Sequence, residues 1–238
     1  MKEVKIFSLF VFFIVAFVLV LTSNGVINVD WNIHQQFLLR PHTCSVVAFL
    51  ENDSKTEPHL EKAVQTFKKE TDMIFATVFC DQKNSQKLCE KYKIEKYPTY
   101  LIFGHTTKEN PWEISIETYE ELVEQVNRYC FKDRNPEGIL GTSFGTIKQL
   151  DDLAQIFIEN PKIRRELTEK TRNLVIQNAK GHFYLEIMRN LLEDPDFIEN
   201  EAQRLKKLID SPDVHPAQSR NFEIKLNILN KFKSNNKE

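Results

Sequence analysis

The sequence predicts two domains of different class, an α/β domain followed by an all-α domain of five helices. Three observations predict this. Apolar runs of β-type composition, Cys44–Leu50, Met73–Phe79 and Thr99–Phe103, alternate with helical patterns through the first half. After residue 146 the strand signal disappears and only helical periodicity remains. Between the two, Pro136, Gly138, Gly141 and Gly145 mark a break. The reading is a first domain over residues 26–132, a linker over 133–146, a helical domain over 147–232 and a polar, disordered tail over 233–238.

Ahead of these, Lys2 and Lys5 precede an apolar run over residues 6–21, followed by Thr22, Ser23, Asn24 and Gly25. A basic start, an apolar middle and a small-residue exit describe a secretory signal peptide over residues 1–25. The run is somewhat short for a membrane span, which needs about 20 residues. The mature chain is therefore expected in an oxidising compartment with no membrane span.

The elements of the first domain follow in order. Residues 26–29 read as a short strand, and Asp30 as the cap of a helix with Ile33, Phe37 and Leu38 at helical spacing. Pro41 stops that helix. Cys44–Leu50 reads as a buried central strand, then a polar loop over 51–57 leads to Pro58 in the first turn of a helix burying Leu60, Val64 and Phe67. Met73–Phe79 is a second buried strand, residues 84–92 a short helix and Thr99–Phe103 a third strand. Residues 112–116 pair back as a strand. Thr118 with Glu121 makes a capping box for a helix carrying Tyr119, Leu122, Val126 and Tyr129. In the second half, residues 147–160, 162–178, 181–193, 196–210 and 216–232 carry helical periodicity, with Pro161, Pro195, Pro212 and Pro216 between most of them. The fourth is expected to bury Ile198, Ala202, Leu205 and Ile209, and the fifth Phe222, Leu226 and Leu229.

Composition excludes several function classes. A net charge of −2 gives no electrostatic footprint for nucleic acid. The six histidines are scattered, and His42 with Cys44 is the one close pair, so no metal site is expected. No glycine-rich phosphate loop or calcium loop is present, and no cofactor is expected. Gly141-Thr142-Ser143-Phe144-Gly145 matches the spacing of a hydrolase nucleophile elbow, but no buried strand precedes it, so the match carries no chemistry. Asn52-Asp53-Ser54 is a glycosylation sequon, which makes Asn52 a candidate site in a secretory protein.

The order βαβαβαββα, with Tyr97-Pro98-Thr99 opening a strand, resembles a thioredoxin-like domain, in which a cis proline faces a pair of redox cysteines. Those cysteines lie in a Cys-x-x-Cys motif between the first central strand and its helix, where the helix N-terminus lowers the thiol pKa. Here that stretch is residues 51–57 and holds no cysteine. Cys44 starts the same strand and lies about 20 Å away at ~3.3 Å per residue. Cys80 ends a strand on the same edge as the vacant motif, and Cys89 sits in the next helix. The two are read as a structural disulfide or a pair of buried thiols, with a displaced redox pair as the alternative. Cys130 is either a free thiol or a partner for Cys44.

Three stretches carry a closer resemblance. Gly25-Val26-Ile27-Asn28-Val29-Asp30, then Glu90-Lys91-Tyr92-Lys93-Ile94 ahead of Tyr97-Pro98, and a C-terminal set resemble the endoplasmic reticulum resident protein 29 (Windbeutel-like) family. The C-terminal set comprises Phe183-Tyr184 with Ile187-Met188, Glu201-Ala202-Gln203-Arg204-Leu205, and Lys225 through Phe232 with its Asn-Ile-Leu run. The family comprises relatives of protein disulfide isomerase that lack the redox pair and end in a helical D domain. The resemblance implies a non-enzymatic folding factor or escort for secretory clients in the endoplasmic reticulum lumen. It implies client contact at Tyr97, Pro98, Thr99, Asp53 and Lys55, and a homodimer formed through Gly25, Ile27 and Asp30. Calreticulin- or calnexin-type lectin chaperones are implied as further partners of the D domain. The sequence departs from the family in three places: Asp53, Ser54 and Lys55 stand where relatives carry aromatic residues, the relatives' linker cysteine is replaced near Thr146, and the chain ends Asn236-Lys237-Glu238 rather than in a Lys-Asp-Glu-Leu type signal.

Overall fold

The computed structural model of the chain describes residues 25–53, 57–176 and 179–233. Apart from Gly25 and Lys233, the expected signal peptide and tail lie outside the described residues. The chain forms two compact units, one built from residues up to Lys68 with Asp72–Ile139, the other from Lys69–Thr71 and from Leu140 onward.

The first unit is a five-stranded mixed sheet of order β1-β3-β2-β4-β5, comprising β1 Ile27–Asn28, β2 Cys44–Leu50, β3 Met73–Phe79, β4 Thr99–Phe103 and β5 Trp112–Ile114. β1, β3 and β2 run parallel, while β4 and β5 are antiparallel to their neighbours. The helices are α1 His34–Phe37, α2 Pro58–Thr66, α3 Gln86–Lys91 and α4 Tyr119–Cys130. This is the thioredoxin-like arrangement. β2 is buried along its whole length because it is central and covered on both faces. Its side chains alternate accordingly. Cys44, Val46, Ala48 and Leu50 join a core with Leu60 and Phe67 of the α2 region and Leu122 and Val126 of α4. Val47 and Phe49 join the opposite core with Leu38, Val78, Leu88 and Phe103. Each such fully buried Leu or Phe stabilises the fold by about 1.5–3 kcal/mol relative to exposure.

Local chemistry sets the element ends. Glu57 caps α2 by accepting the His59 N–H at 3.2 Å, and Pro58 occupies the first turn. α4 opens with a complete capping box, Thr118 Oγ1 accepting from Glu121 N–H and Glu121 Oε2 accepting from Thr118 N–H, each at 3.2 Å. α3 is shorter than the sequence predicts because a turn holds the residues before it, Ser85 N–H donating to the Gln82 carbonyl at 2.8 Å. β5 likewise ends at Ile114 rather than residue 116.

The second unit contains α5 Lys148–Glu159, α6 Arg164–Val175, α7 His182–Glu193, α8 Phe197–Ile209 and α9 Pro216–Asn230. α7 is the most deeply buried, placing Phe183, Tyr184, Leu185, Ile187, Met188 and Leu191 in the core with Phe157, Leu205, Leu229 and Phe232. The Tyr184 hydroxyl donates to Asp151 Oδ1 at 2.5 Å and accepts the Ile147 N–H at 3.0 Å, fixing the start of α5. Burial first, then the Asp151 bond, raises the Tyr184 pKa far above its ordinary value. Of the apolar positions expected inside the last two helices, Ala202, Leu205 and Leu229 are buried. Ile198, Ile209, Phe222 and Leu226 are half-buried, because α8 and α9 pair chiefly with each other.

The glycine- and proline-marked stretch is ordered through hydrogen bonds within each unit. In the first, Asn127 grips Arg134, and Thr66 Oγ1 donates to the Pro136 carbonyl at 2.9 Å. In the second, Asn227 Nδ2 donates to the carbonyls of Gly141 at 2.8 Å and Phe144 at 3.2 Å.

Candidate functional site

The candidate site is the sheet end where β2 and β3 finish and β4 begins. Tyr97 and Pro98 are joined by a cis peptide bond, and both side chains are exposed, Tyr97 at 44%. Thr99, expected beside them, is 4% exposed, and its hydroxyl donates to the Lys96 carbonyl at 2.7 Å. Contrary to the expectation of a contact residue there, Thr99 is turned inward and buried behind the exposed step. Its register partner on β2 is Phe49, so the step directly faces the end of the central strand.

The loop leaving β2 is where a redox motif would stand. Asp53 is exposed and Asn52 half-buried, while Lys55 and the sequon's Ser54 lie outside the described residues. Behind this loop, Glu57 is 9% exposed and hydrogen-bonded to Tyr100. Burial, followed by the bond to and charge of Glu57, lifts the Tyr100 pKa far above its ordinary value. The carboxylate is thus occupied by a helix cap and a phenol, with no thiol beside it to activate.

Cys80 and Cys89 form a disulfide with Cα atoms 5.9 Å apart, and the two residues are 9% and 8% exposed. Cys80 continues the sheet beyond β3, its N–H donating to the Leu50 carbonyl at 2.9 Å. The bridge joins the end of β3 to the interior of α3, among Leu88, Val78 and Phe49. Cys44 and Cys130 form a second disulfide, both 0% exposed, linking the start of β2 to the end of α4. Among the described residues, which include all four cysteines of the chain, no thiol is free. A thiolate nucleophile is therefore absent from this oxidised form.

The residues read as a dimer surface lie at the sheet's far edge. Ile27 is half-buried in the two-residue edge strand β1. Gly25 has φ +76°, and a Cβ there would lie 2.8 Å from Val64 Cγ1, so glycine is required by both conformation and space. Asp30 Oδ1 accepts the N–H groups of Asn32 at 2.8 Å and Ile33 at 3.2 Å, which gives it a local capping role. Among the described residues no cluster of metal-ligating side chains is present, and no helix is long and apolar enough to cross a membrane.

Residues 145–232 match the family described as endoplasmic reticulum protein ERp29, C-terminal domain. Protein disulfide-isomerase 1 of Dictyostelium discoideum is 28% identical over 187 residues, covering 76% of this chain and 51% of that protein. A protein disulfide-isomerase of Schizosaccharomyces pombe is 27% identical over 188 residues, covering 74% of this chain and 49% of that one. The chain thus spans about half the length of the curated relatives it matches. Among solved structures, the zinc-bound form of human ERp44 aligns with a TM-score of 0.37 and 22% identity, over 44% of this chain and 30% of that one.

Proposed function

We propose that this chain, a relative of the protein disulfide-isomerases with an ERp29-type C-terminal domain, is a non-enzymatic folding factor of the endoplasmic reticulum. It binds secretory client proteins and assists their folding and export. The observation that carries this reading is the thioredoxin-like sheet end, which exposes Tyr97 and Pro98 while residues 51–57 after β2 hold no cysteine. Exchange requires a thiolate to attack a disulfide sulfur, or a substrate thiolate to reach the protein's own disulfide. Cys44 and Cys130 are enclosed, and Cys80 and Cys89 are nearly so. What remains at the sheet end is a binding surface. Tyr97 and Pro98 supply apolar area, and Asp53 supplies a polar contact from the loop.

The same reading includes residence in the lumen, a homodimer formed through Gly25, Ile27 and Asp30, and lectin chaperones as partners of the helical domain. What supports the dimer is the place of β1 at the sheet edge, the position at which a strand of a second copy can add to a sheet. A thiol-disulfide oxidoreductase using Cys80 and Cys89 is the second reading, favoured by the position of Cys80 beside the loop that replaces the motif.

The test is suppression of aggregation of a denatured secretory protein by the purified chain. Tyr97→Asp is expected to abolish suppression, and Cys80→Ser/Cys89→Ser to retain it. Suppression unaffected by Tyr97→Asp would remove the sheet end as the client surface.

A further inference from the structure

Asn52 is the one asparagine of the chain with Ser or Thr two residues on, and Asp53 rather than proline stands between it and Ser54. Neither client binding nor the thiol reading uses this triplet. The fold puts Asn52 where a bulky group has room. β2 ends at Leu50, and Asn52 follows in the loop beyond it, half-buried between exposed Glu51 and Asp53. The base of that loop is fixed, the Leu50 carbonyl accepting the Cys80 N–H at 2.9 Å and the Glu51 carbonyl accepting the Asp81 N–H at 3.0 Å. A sugar attached there leaves from an anchored sheet end, with solvent rather than a packed core ahead of it.

Register brings the exposed Tyr97–Pro98 step alongside. Phe49 on β2 pairs with Thr99 on β4, on adjacent strands about 4.8 Å apart. Asn52 lies three residues past Phe49, and Tyr97 two residues ahead of Thr99, so both adjoin the same end of neighbouring strands. Tyr97 is 44% exposed. A branched oligosaccharide spans that separation, and on Asn52 it stands over the side of the step nearest β2.

We infer that Asn52 carries an N-linked oligosaccharide and that this sugar shields one side of the Tyr97–Pro98 step. In the transfer, Asn52 Nδ2 attacks C1 of a lipid diphosphate-linked oligosaccharide. The N–C1 bond forms and the C1–O bond to phosphate breaks. The lipid diphosphate leaves with that electron pair, and one amide proton passes to base. The sugar donor and its transferase belong to the endoplasmic reticulum, so Asn52 meets them only in a luminal protein, as proposed above. A client segment then reaches Tyr97 from the side away from the β2 loop.

The full chain is expressed in cultured insect cells, recovered from the luminal fraction, digested with peptide N-glycosidase and weighed by intact-mass spectrometry. A loss of mass equal to one oligosaccharide is expected for the parent and for Ser54→Thr, and none for Asn52→Gln or Ser54→Ala. Ser54→Ala keeps the Asn52 side chain, and circular dichroism verifies that each variant is folded. Nitration of Tyr97 by tetranitromethane, read by peptide mass spectrometry, is expected to be at least ~3-fold slower in the sugar-bearing parent than in Ser54→Ala. Unchanged mass in the parent, or a mass loss that persists in Ser54→Ala, overturns the site. Equal nitration rates in the presence of the sugar overturn the shielding. The client reading fails on a different readout, the suppression of aggregation by Tyr97→Asp.

Discussion

Asn127 holds the backbone of Arg134 from both sides, its Nδ2 donating to the Arg134 carbonyl at 2.7 Å and its Oδ1 accepting the Arg134 N–H at 3.0 Å. Arg134 is 2% exposed, and its Nη1 donates to the Gly138 carbonyl at 3.0 Å. Asn127→Ala leaves a buried donor and a buried acceptor unmatched and should cost about 2–3 kcal/mol in denaturant unfolding. Asn127→Asp should also destabilise, because a carboxylate accepts from the N–H but repels the carbonyl. A variant within ~0.5 kcal/mol of the parent would show the grip to be unimportant.

The two disulfides should differ in stabilising effect because they close loops of different length. The sequence separation is 86 residues for Cys44–Cys130 and 9 for Cys80–Cys89. Loop-closure entropy gives about 4–5 kcal/mol for the first and about 2–3 kcal/mol for the second. Guanidinium unfolding of Cys44→Ala/Cys130→Ala and Cys80→Ala/Cys89→Ala should rank them in that order. The reverse ranking would mean that native packing, not chain entropy, dominates.

Gly145 has φ +78°, and a Cβ placed there would lie 2.5 Å from Ile224 Cγ2. Gly145→Ala should therefore cost about 2 kcal/mol or more, part from conformation and part from crowding. Adding Ile224→Ala should recover the crowding part alone, a coupling that a double-mutant cycle resolves. Additive costs would contradict the contact.

Much of this was legible because local signals agreed with the fold. The continuous apolar run of β2, the Thr118–Glu121 box and Pro58 each name their element from a few residues, and the Tyr97-Pro98-Thr99 step marks the candidate site. The Cys44–Cys130 bond is not specified by sequence, although both residues lie on stripes facing one core: Cys44 alternates with Val46 and Ala48, and Cys130 lies one turn beyond Val126. Choosing between a bond and a free thiol required the tertiary pairing of those stripes. The inward turn of Thr99 was hidden because its hydroxyl bond to Lys96 depends on the backbone geometry of the step. Buried Arg134 was hidden too, since an arginine among glycines and prolines reads as exposed until its hydrogen-bond partners are known.

The central claim is that client binding here proceeds without thiol chemistry. The most direct test is turnover of insulin disulfides by the purified chain in dithiothreitol, beside its Cys80→Ser/Cys89→Ser form. The account predicts the uncatalysed rate for both. Turnover by the parent chain that disappears in the double variant would contradict it and make Cys80 and Cys89 a working redox pair.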